Sequence, residues 1–227
     1  MTRQVLILFI LVVAVFVKTD DCLAQAQVGG PAPGQVTKPA APPAPHDHSH
    51  MTSEKASAAA SYFTDVELIN QDGKKVRFYS DVLKGKTVVV NAFFTSCTSV
   101  CPPMNRNMEK IQEVLGNRVG RDVFLVSMTV DPETDTPARM KEYAQKFHAG
   151  PGWIFLTGKK ENLDWALYKL GQYVEHKDDH TTVLIIGNEP TGLWKKAFGM
   201  ANVAELVQIV ESVVNDKGVT TQKSSGK

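Results

Sequence analysis

The run TVVVNAFF, residues 87–94, constrains the fold of this chain more than any other stretch. β-Branched and aromatic residues follow one another without the polar alternation of a strand that has one wet face, so we predict a strand buried on both faces. The next residues are TSCTSVCPPM, and two prolines there suit the first turn of a helix. Apolar side chains then repeat at helical spacing. A buried strand that leads into a helix is typical of α/β proteins.

The rest of the chain alternates between strand and helix patterns. Period-2 flanks around Asp72-Gly73 predict a hairpin ahead of the buried strand, and the turn NEPTG predicts a second hairpin. We therefore predict an α/β fold with a central mixed sheet, partly parallel, flanked by helices on both faces, with added N-terminal and internal β-hairpins. The remaining predicted elements are strands 123–130, 153–157, 181–187 and 193–198, and helices 136–147, 161–170 and 203–214.

The stretch ahead of this pattern carries no sign of a folded domain. A basic residue, the apolar run 5–17 and Ala24-x-Ala26 are the parts of a secretory signal, and the run is short for a membrane span, which needs about 17–25 apolar residues. An uncleaved membrane anchor is the alternative. The next stretch is rich in Pro, Ala and Gly, which predicts disorder. The domain map is signal peptide or anchor 1–26, linker 27–60, α/β domain 61–215 and disordered tail 216–227.

The cysteines and the charge bear on the compartment and on the partners. Cleavage after Ala26 would remove Cys22 and leave the pair Cys97 and Cys101, which is compatible with an oxidising compartment. The acidic residues just before Cys22 do not fit a lipid-attachment signal. We predict that the folded part lies outside the cytoplasm, in a bacterial periplasm or at the outer face of the cytoplasmic membrane. The net charge of +1, with no dense basic run, argues against nucleic acid as a partner.

Cys97 and Cys101 lie at the end of a central strand and the start of a helix. Their spacing allows both side chains to face the same side, and a helix N-terminus favours a thiolate. A disulfide that closes so short a loop would stabilise the fold by only about 2 kcal/mol, so a purely structural bridge is the weaker interpretation. Two sulfurs suit Cu(I), zinc or a reversible disulfide, and the residues alone leave these three open.

A metal site with more than two protein ligands needs histidine here, because the predicted domain has no third cysteine. His148 ends a predicted helix, where capping is its ordinary role, and His176 lies in a charged loop. His180 follows Asp178 and Asp179 and immediately precedes the buried-looking strand TTVLIIG. A carboxylate beside a histidine can orient its ring. On these grounds His180 is a candidate ligand, with a role in the fold alone as the alternative.

Three motifs, in this order, resemble the Sco/SenC family of thioredoxin-like, copper-binding proteins. CTSVCPPM resembles the family's C-x-x-x-C-P signature, VDPETDTPARMKEY (130–143) its V-D-P-x-x-D-T-P segment, and DDHTTVLII (178–186) its D-H-[ST] segment. The likeness covers residues 62–215. It implies a thioredoxin-like fold that binds copper, as Cu(I), Cu(II) or both. The implied ligands are Cys97, Cys101 and His180, and the implied supporting residues are Asp179, Asp131 and Asp135.

The resemblance also implies a function. It indicates a metallochaperone that delivers copper to, or matures, the dinuclear copper centre of cytochrome c oxidase. The implied partners are the copper-receiving subunit of that oxidase and another copper chaperone, close to a membrane. One alternative is an extracytoplasmic thiol-disulfide reductase that keeps partner cysteines reduced for metallation, and another is a copper or redox sensor. His180 distinguishes the metallochaperone from the reductase, since tight copper binding needs this histidine and disulfide exchange does not.

Some of the candidate residues have a simpler interpretation. Asp135 or Thr136 precedes Pro137, so either can cap the following helix. Met104 and Met108 have soft thioether sulfurs, but their helical spacing predicts a place in the core.

The tract HDHSHM places His46, His48 and His50 at alternate positions of the predicted linker. Such a tract binds Cu(II), zinc or nickel weakly. One hypothesis is that the tract is an accessory metal site that gathers copper for the folded site, and the alternative is a spacer with incidental metal affinity.

Overall fold

A computed structural model describes residues 58–218. The predicted signal peptide, the linker through residue 57 with its three histidines, and the tail from residue 219 lie outside the described residues. Among the described residues, no helix combines the length and the apolar character needed to cross a bilayer.

Seven strands and five helices make up the described part of the chain. The strands are β1 Glu67–Asn70, β2 Lys75–Arg77, β3 Thr87–Phe93, β4 Val123–Thr129, β5 Trp153–Thr157, β6 Val183–Asn188 and β7 Leu193–Phe198. The helices are α1 (58–63), α2 Cys101–Leu115, α3 Pro137–Lys146, α4 Lys160–Lys169 and α5 Val203–Val214. Single helical turns lie at Phe78–Leu83, Gly116–Arg118 and Lys177–Asp179.

The strands form one mixed sheet in the order β2-β1-β5-β4-β3-β6-β7. β3, β4 and β5 are parallel, whereas β6 pairs with β3 in the antiparallel sense. The β1–β2 and β6–β7 pairs are the two predicted hairpins. Helices α2, α3 and α5 pack on one face, while α1, the Phe78–Leu83 turn and α4 pack on the other. The predicted α/β class with a partly parallel mixed sheet and helices on both faces is confirmed.

Two of the helical segments that the sequence patterns did not predict lie ahead of β3. The predicted hairpin extended through residue 80, but Phe78, Tyr79, Val82 and Leu83 share one buried helical face. The alanine-rich stretch 58–63 forms α1, which therefore includes residues 58–60 of the predicted linker. Helix formation is favoured there by alanine and by the burial of Phe63 at the helix end.

Strand β3 is buried along its whole length, as the run TVVVNAFF predicts. It is central because β4 covers one edge and β6 covers the other. It ends at Phe93, and α2 begins at Cys101, so the loop between them lies at the carboxyl edge of the parallel strands. Ligands bind at that edge in open α/β folds.

A chain of buried polar side chains fixes α2 against the sheet. Trp153 Nε1 donates to Ser127 Oγ at 2.9 Å, and Ser127 donates to Asn91 Oδ1 at 2.7 Å. Asn91 Nδ2 donates to Asn105 Oδ1 at 3.0 Å, and Asn105 Nδ2 donates to Tyr143 Oη at 2.9 Å. The five residues come from β5, β4, β3, α2 and α3. Because buried polar groups are costly when unpaired, this chain sets the position of α2, and with it the loop that leads into α2.

We expect Asn105→Ala to lower the free energy of unfolding by roughly 2 kcal/mol, because the side chains of Asn91 and Tyr143 would each lose a buried partner. Urea unfolding of the metal-free protein measures this effect. Asn117→Ala is the matched control, since Asn117 is exposed, and it should change stability by less than about 0.5 kcal/mol. Equal effects of the two substitutions would contradict the role assigned to the hydrogen bonds that link Trp153 to Tyr143.

Candidate metal centre

Three segments of the chain meet at the carboxyl edge of the parallel strands. The β3–α2 loop carries Cys97 and enters α2 at Cys101, and the β4–α3 loop carries Asp131 and Asp135. The segment before β6 ends with His180, close to the point where β6 begins. Because β6 runs antiparallel to β3, the start of β6 and the end of β3 lie at the same edge. The topology therefore brings His180 to the cysteine loop.

Cys97, Cys101 and His180 form a compact cluster of candidate ligands. One sulfur or nitrogen atom from each lies within 4.8 Å of the others. Cys101 Sγ lies 3.1 Å from His180 Nε2. Both cysteines are free thiols. Cys101 is fully buried, whereas Cys97 and His180 each keep 8% of their surface exposed. A partner or an ion can therefore reach the cluster at Cys97 and His180.

The imidazole of His180 has the tautomer that metal binding requires. Its Nδ1 lies 2.9 Å from the carbonyl oxygen of Lys177, which can only accept, so Nδ1 carries the proton. In the neutral ring Nε2 then has a free lone pair, and Nε2 is the atom that faces Cys101. Burial lowers the pKa of His180, although the bond to the Lys177 carbonyl opposes the shift. At neutral pH the ring is uncharged and ready to coordinate.

The two thiols differ in acidity. Burial raises the pKa of Cys97, but backbone N–H groups of Cys101 and Ser99 and the side chains of both residues outweigh it, so the pKa lies below its usual value. Burial raises the pKa of Cys101 strongly, and a hydrogen bond from the backbone N–H of Phe94 opposes the shift without overcoming it. Cys97 is thus the more nucleophilic and more accessible sulfur, and Cys101 is the protected one.

Asp135 holds the cysteine loop through hydrogen bonds to Thr95. It is fully buried, and both of its carboxylate oxygens accept from the backbone N–H of Thr95, at 3.1 and 3.2 Å. The hydroxyl groups of Thr95 and Thr129 also donate to it, that of Thr129 at 2.6 Å. The cap of α3 is Thr136, whose hydroxyl accepts from the backbone N–H of Arg139. Asp135 therefore holds the loop two residues before Cys97, while Thr136 caps the helix.

The other two acidic candidates occupy different positions. Asp131 forms an ion pair with Lys177, with 2.8 Å between Oδ2 and Nζ. Burial raises the pKa of Asp131. Lys177 and Thr134 lower it by a larger amount, so the net shift is downward. The side chain of Asp179 is exposed, and the His180 ring bonds to the Lys177 carbonyl rather than to this carboxylate. Among the predicted supporting residues, Asp131 and Asp135 thus have the clearest structural links to the cluster.

The two other candidate histidines, His148 and His176, are not part of the three-residue cluster. His148 Nδ1 is 2.5 Å from Glu109 Oε1, and His176 is exposed. Met104 and Met108 are fully buried in the core beneath the loop.

Two neighbours of the cluster were not identified from the sequence. A backbone hydrogen bond from Phe94 lowers the pKa of Cys101, and the centre of the Phe94 ring lies 5.1 Å from that of the His180 ring, edge to face. Lys177 supplies the carbonyl that orients His180. Both act partly through backbone atoms, which residue type does not reveal. The only sequence signal is position, since Phe94 ends the buried run and Lys177 lies three residues before His180.

Comparison with known proteins gives one family. The SCO1/SenC family model matches residues 54–215. A SCO2-like protein of Rickettsia conorii is 41% identical over 99 residues, which cover 44% of this chain and 46% of that protein. The SCO1 protein homolog of Bacillus subtilis is 38% identical over 118 residues, which cover 51% of this chain and 60% of that protein. The aligned parts span about half the length of these relatives.

Solved structures show the same relationship. A SCO1/SenC family lipoprotein from Bacillus anthracis is 30% identical with a TM-score of 0.57, covering 66% of this chain and 94% of that one. Copper-bound ScoI from Arabidopsis thaliana is 28% identical with a TM-score of 0.55, covering 66% and 96%. BsSco, a cytochrome c oxidase assembly protein with a disulfide switch, is 28% identical with a TM-score of 0.57, covering 67% and 92%. The thioredoxin-like fold of the Sco proteins is thereby confirmed.

We expect iodoacetamide to modify Cys97 before Cys101 in the reduced, metal-free protein. The rate at Cys97 should reach half its maximum below about pH 8.5, the ordinary midpoint of a thiol, and the rate at Cys101 above it. The cause is the lowered pKa of Cys97 and the burial of Cys101. Mass spectrometry of the digested protein follows each site. Faster modification of Cys101, or equal rates in the Cys97→Ser and Cys101→Ser variants, would contradict the assigned asymmetry.

Proposed function

This chain belongs to the SCO1/SenC family, and on that premise we propose that it is a copper metallochaperone that binds copper through Cys97, Cys101 and His180. Its proposed task is to deliver that copper to, or mature, the dinuclear copper centre of cytochrome c oxidase. The observation that supports this most directly is the buried cluster of two sulfurs and one imidazole nitrogen within 4.8 Å.

The donor set suits copper in both oxidation states. Thiolates are soft ligands that favour Cu(I), and an imidazole lets the same pocket hold Cu(II). Burial raises the pKa of Cys97 but hydrogen bonds lower it by more, so its thiolate is favoured, whereas burial raises the pKa of Cys101. The lone pair on His180 Nε2 is already available. Binding needs the loss of the thiol protons but no rotation of the imidazole to another tautomer.

Transfer to a partner can proceed by stepwise ligand exchange. A thiolate of the partner forms a bond to copper, and one bond from copper to this chain breaks. Cys97 is the first sulfur to be displaced, because Cys101 is fully buried under His180. Repetition moves the ion to the partner with its oxidation state unchanged. No general acid or base is required beyond the groups that reprotonate the released thiolates.

The proposed partners and location follow from the relatives. BsSco is described as a member of the Sco family of cytochrome c oxidase assembly proteins, which supports an oxidase subunit as the copper acceptor. The solved Bacillus anthracis relative is a lipoprotein, which supports a place outside the cytoplasm. We propose that the folded domain acts in the periplasm or at the outer face of the cytoplasmic membrane, with another copper chaperone as the donor.

The asymmetry of the two thiols favours a second candidate, a thiol-disulfide reductase. The Cys97 thiolate would attack a partner disulfide and form a mixed disulfide, and Cys101 would then displace the partner as a reduced dithiol. This chain would end with a Cys97–Cys101 disulfide and would need an extracytoplasmic dithiol reductant. Cellular oxidase assembly that survives His180→Ala but fails with Cys97→Ser would favour the reductase.

We expect the reduced protein to bind one equivalent of Cu(II) tightly, with thiolate-to-copper charge-transfer absorption. His180→Ala should lose or strongly weaken both, because it removes the ligand and leaves the two thiols intact. An anaerobic titration against a competing chelator measures the affinity. His148→Ala is the matched control, since His148 faces Glu109, and it should behave as the unaltered protein. Equal binding by His180→Ala and the unaltered protein would contradict the three-ligand site.

The predicted accessory site at His46, His48 and His50 has a separate test. Replacing all three with alanine should leave the affinity of the folded site unchanged and should slow copper loading from a dilute Cu(II) solution. Stopped-flow absorption of the charge-transfer band gives the loading rate. If both the stoichiometry and the rate stay the same, the tract has no part in metal capture.

A further inference from the structure

We propose that Lys177 is a positioning residue for the metal site, and that its ion pair with Asp131 fixes the place of the His180 imidazole. This inference rests on the proposed copper site, since it assigns a role to a neighbour of one of the proposed ligands. It also has a consequence for the metal-free protein, which allows the two proposals to be tested separately.

The backbone of Lys177 orients His180 directly. Lys177 begins the single helical turn Lys177–Asp179, and His180 follows that turn. The Lys177 carbonyl oxygen accepts from the backbone N–H of His180 at 3.2 Å and from its Nδ1 at 2.9 Å. One carbonyl group thus holds both the main chain and the ring of the ligand. Any shift of this turn would move the ring with it.

The side chain of Lys177 fixes where the turn lies. Its Nζ is 2.8 Å from Asp131 Oδ2, on the β4–α3 loop. The same ammonium group lies 5.3 Å from the centre of the Phe94 ring. The centres of the Phe94 and His180 rings are 5.1 Å apart, and the two rings meet edge to face. Lys177 is therefore held by an anion on one side and by an aromatic face on the other. Both contacts connect the turn to the loops that frame the cysteines.

Asp131 is a firm point of attachment. Its backbone N–H donates to Thr129 Oγ1 at 2.9 Å, and its carbonyl oxygen accepts from the backbone N–H groups of Thr134 and Asp135. Thr129 is also a donor to the buried Asp135, which holds the cysteine loop. The Lys177–Asp131 pair thus joins the His180 turn to the same network that positions Cys97.

The carboxylate of this pair is more buried than the carboxylates of most other ion pairs among the described residues, although Lys177 itself is 42% exposed. The Asp131 side chain is only 11% exposed, whereas Asp72, which pairs with Lys141, is 44% exposed. Exposed pairs contribute little, and shielding from water strengthens a pair. Loss of the residues that orient a metal ligand typically weakens metal binding by about 10- to 100-fold. A similar loss is expected when the Lys177 ammonium group is removed.

Copper binding by the full chain provides the first test. Lys177→Met should weaken Cu(II) binding by about 10-fold and alter the imidazole nitrogen splitting in the electron paramagnetic resonance spectrum. Lys177→Arg should restore most of the affinity, because it keeps the charge near Asp131. Lys141→Met is the matched control and should match the unaltered protein. Unchanged affinity and spectrum in Lys177→Met would overturn the proposal.

The metal-free protein provides the second test. The His180 ring lies 3.1 Å from the Cys101 sulfur and covers it. In Lys177→Met the turn 177–179 loses its ion pair with Asp131, so the ring should move more freely and alkylation of Cys101 should be faster. Asp131→Asn should have the same effect, and the double variant should show less than the sum of the two single effects. If the unaltered protein fails to bind copper yet these changes occur, the copper proposal fails and the positioning role stands. Additive effects, or no effect on Cys101, would refute that role.

Discussion

The antiparallel pairing of β6 with the buried central strand β3 is the constraint on which the site depends. β3 ends at the cysteine loop, and the antiparallel sense places the start of β6 beside that end. Residues separated by 79 positions, Cys101 and His180, are thereby brought to within 3.1 Å. In a parallel arrangement the start of β6 would lie at the opposite edge of the sheet. The candidate metal centre is thus a consequence of strand direction as much as of residue type.

Burial and hydrogen-bond networks fix the positions of the side chains that the sheet topology brings together. The chain of hydrogen bonds from Trp153 to Tyr143 fixes α2, and Asp135 fixes the loop before Cys97. The centre then combines a protected thiol, an accessible and more acidic thiol and a neutral imidazole. In the proposed function, a partner approaches the ion at Cys97 and His180, while Cys101 keeps the ion bound. A carrier needs both properties, since it must bind its cargo firmly and release it on contact.

Much of the fold was predictable because its signals are local. The uninterrupted run at β3, the prolines at the start of α2 and the Asp72-Gly73 turn each specify one element. The turn at 78–83 was missed because its buried residues also suit the end of a strand. It is helical because a helical turn places Phe78, Tyr79, Val82 and Leu83 on one face, where all four are buried in the core.

The site was predictable to a smaller extent. Cys97 and Cys101 were candidates from their spacing, whereas His180 became a strong candidate only through the family resemblance, because its approach to Cys101 depends on the pairing of distant strands. Phe94 and Lys177 were missed because each acts partly through a backbone atom. Asp179 was an expected support for His180, yet the carbonyl three residues before the histidine is what bonds to the ring. Residue type predicts which side chains cluster better than it predicts the groups that orient them.

X-ray absorption at the copper edge of the loaded protein tests the central claim most directly, because it counts the atoms bound to the ion. We predict two sulfur ligands and at least one imidazole nitrogen, with the nitrogen contribution lost in His180→Ala. Coordination by the two sulfurs alone, or a nitrogen contribution that survives His180→Ala, would contradict a copper centre built from Cys97, Cys101 and His180.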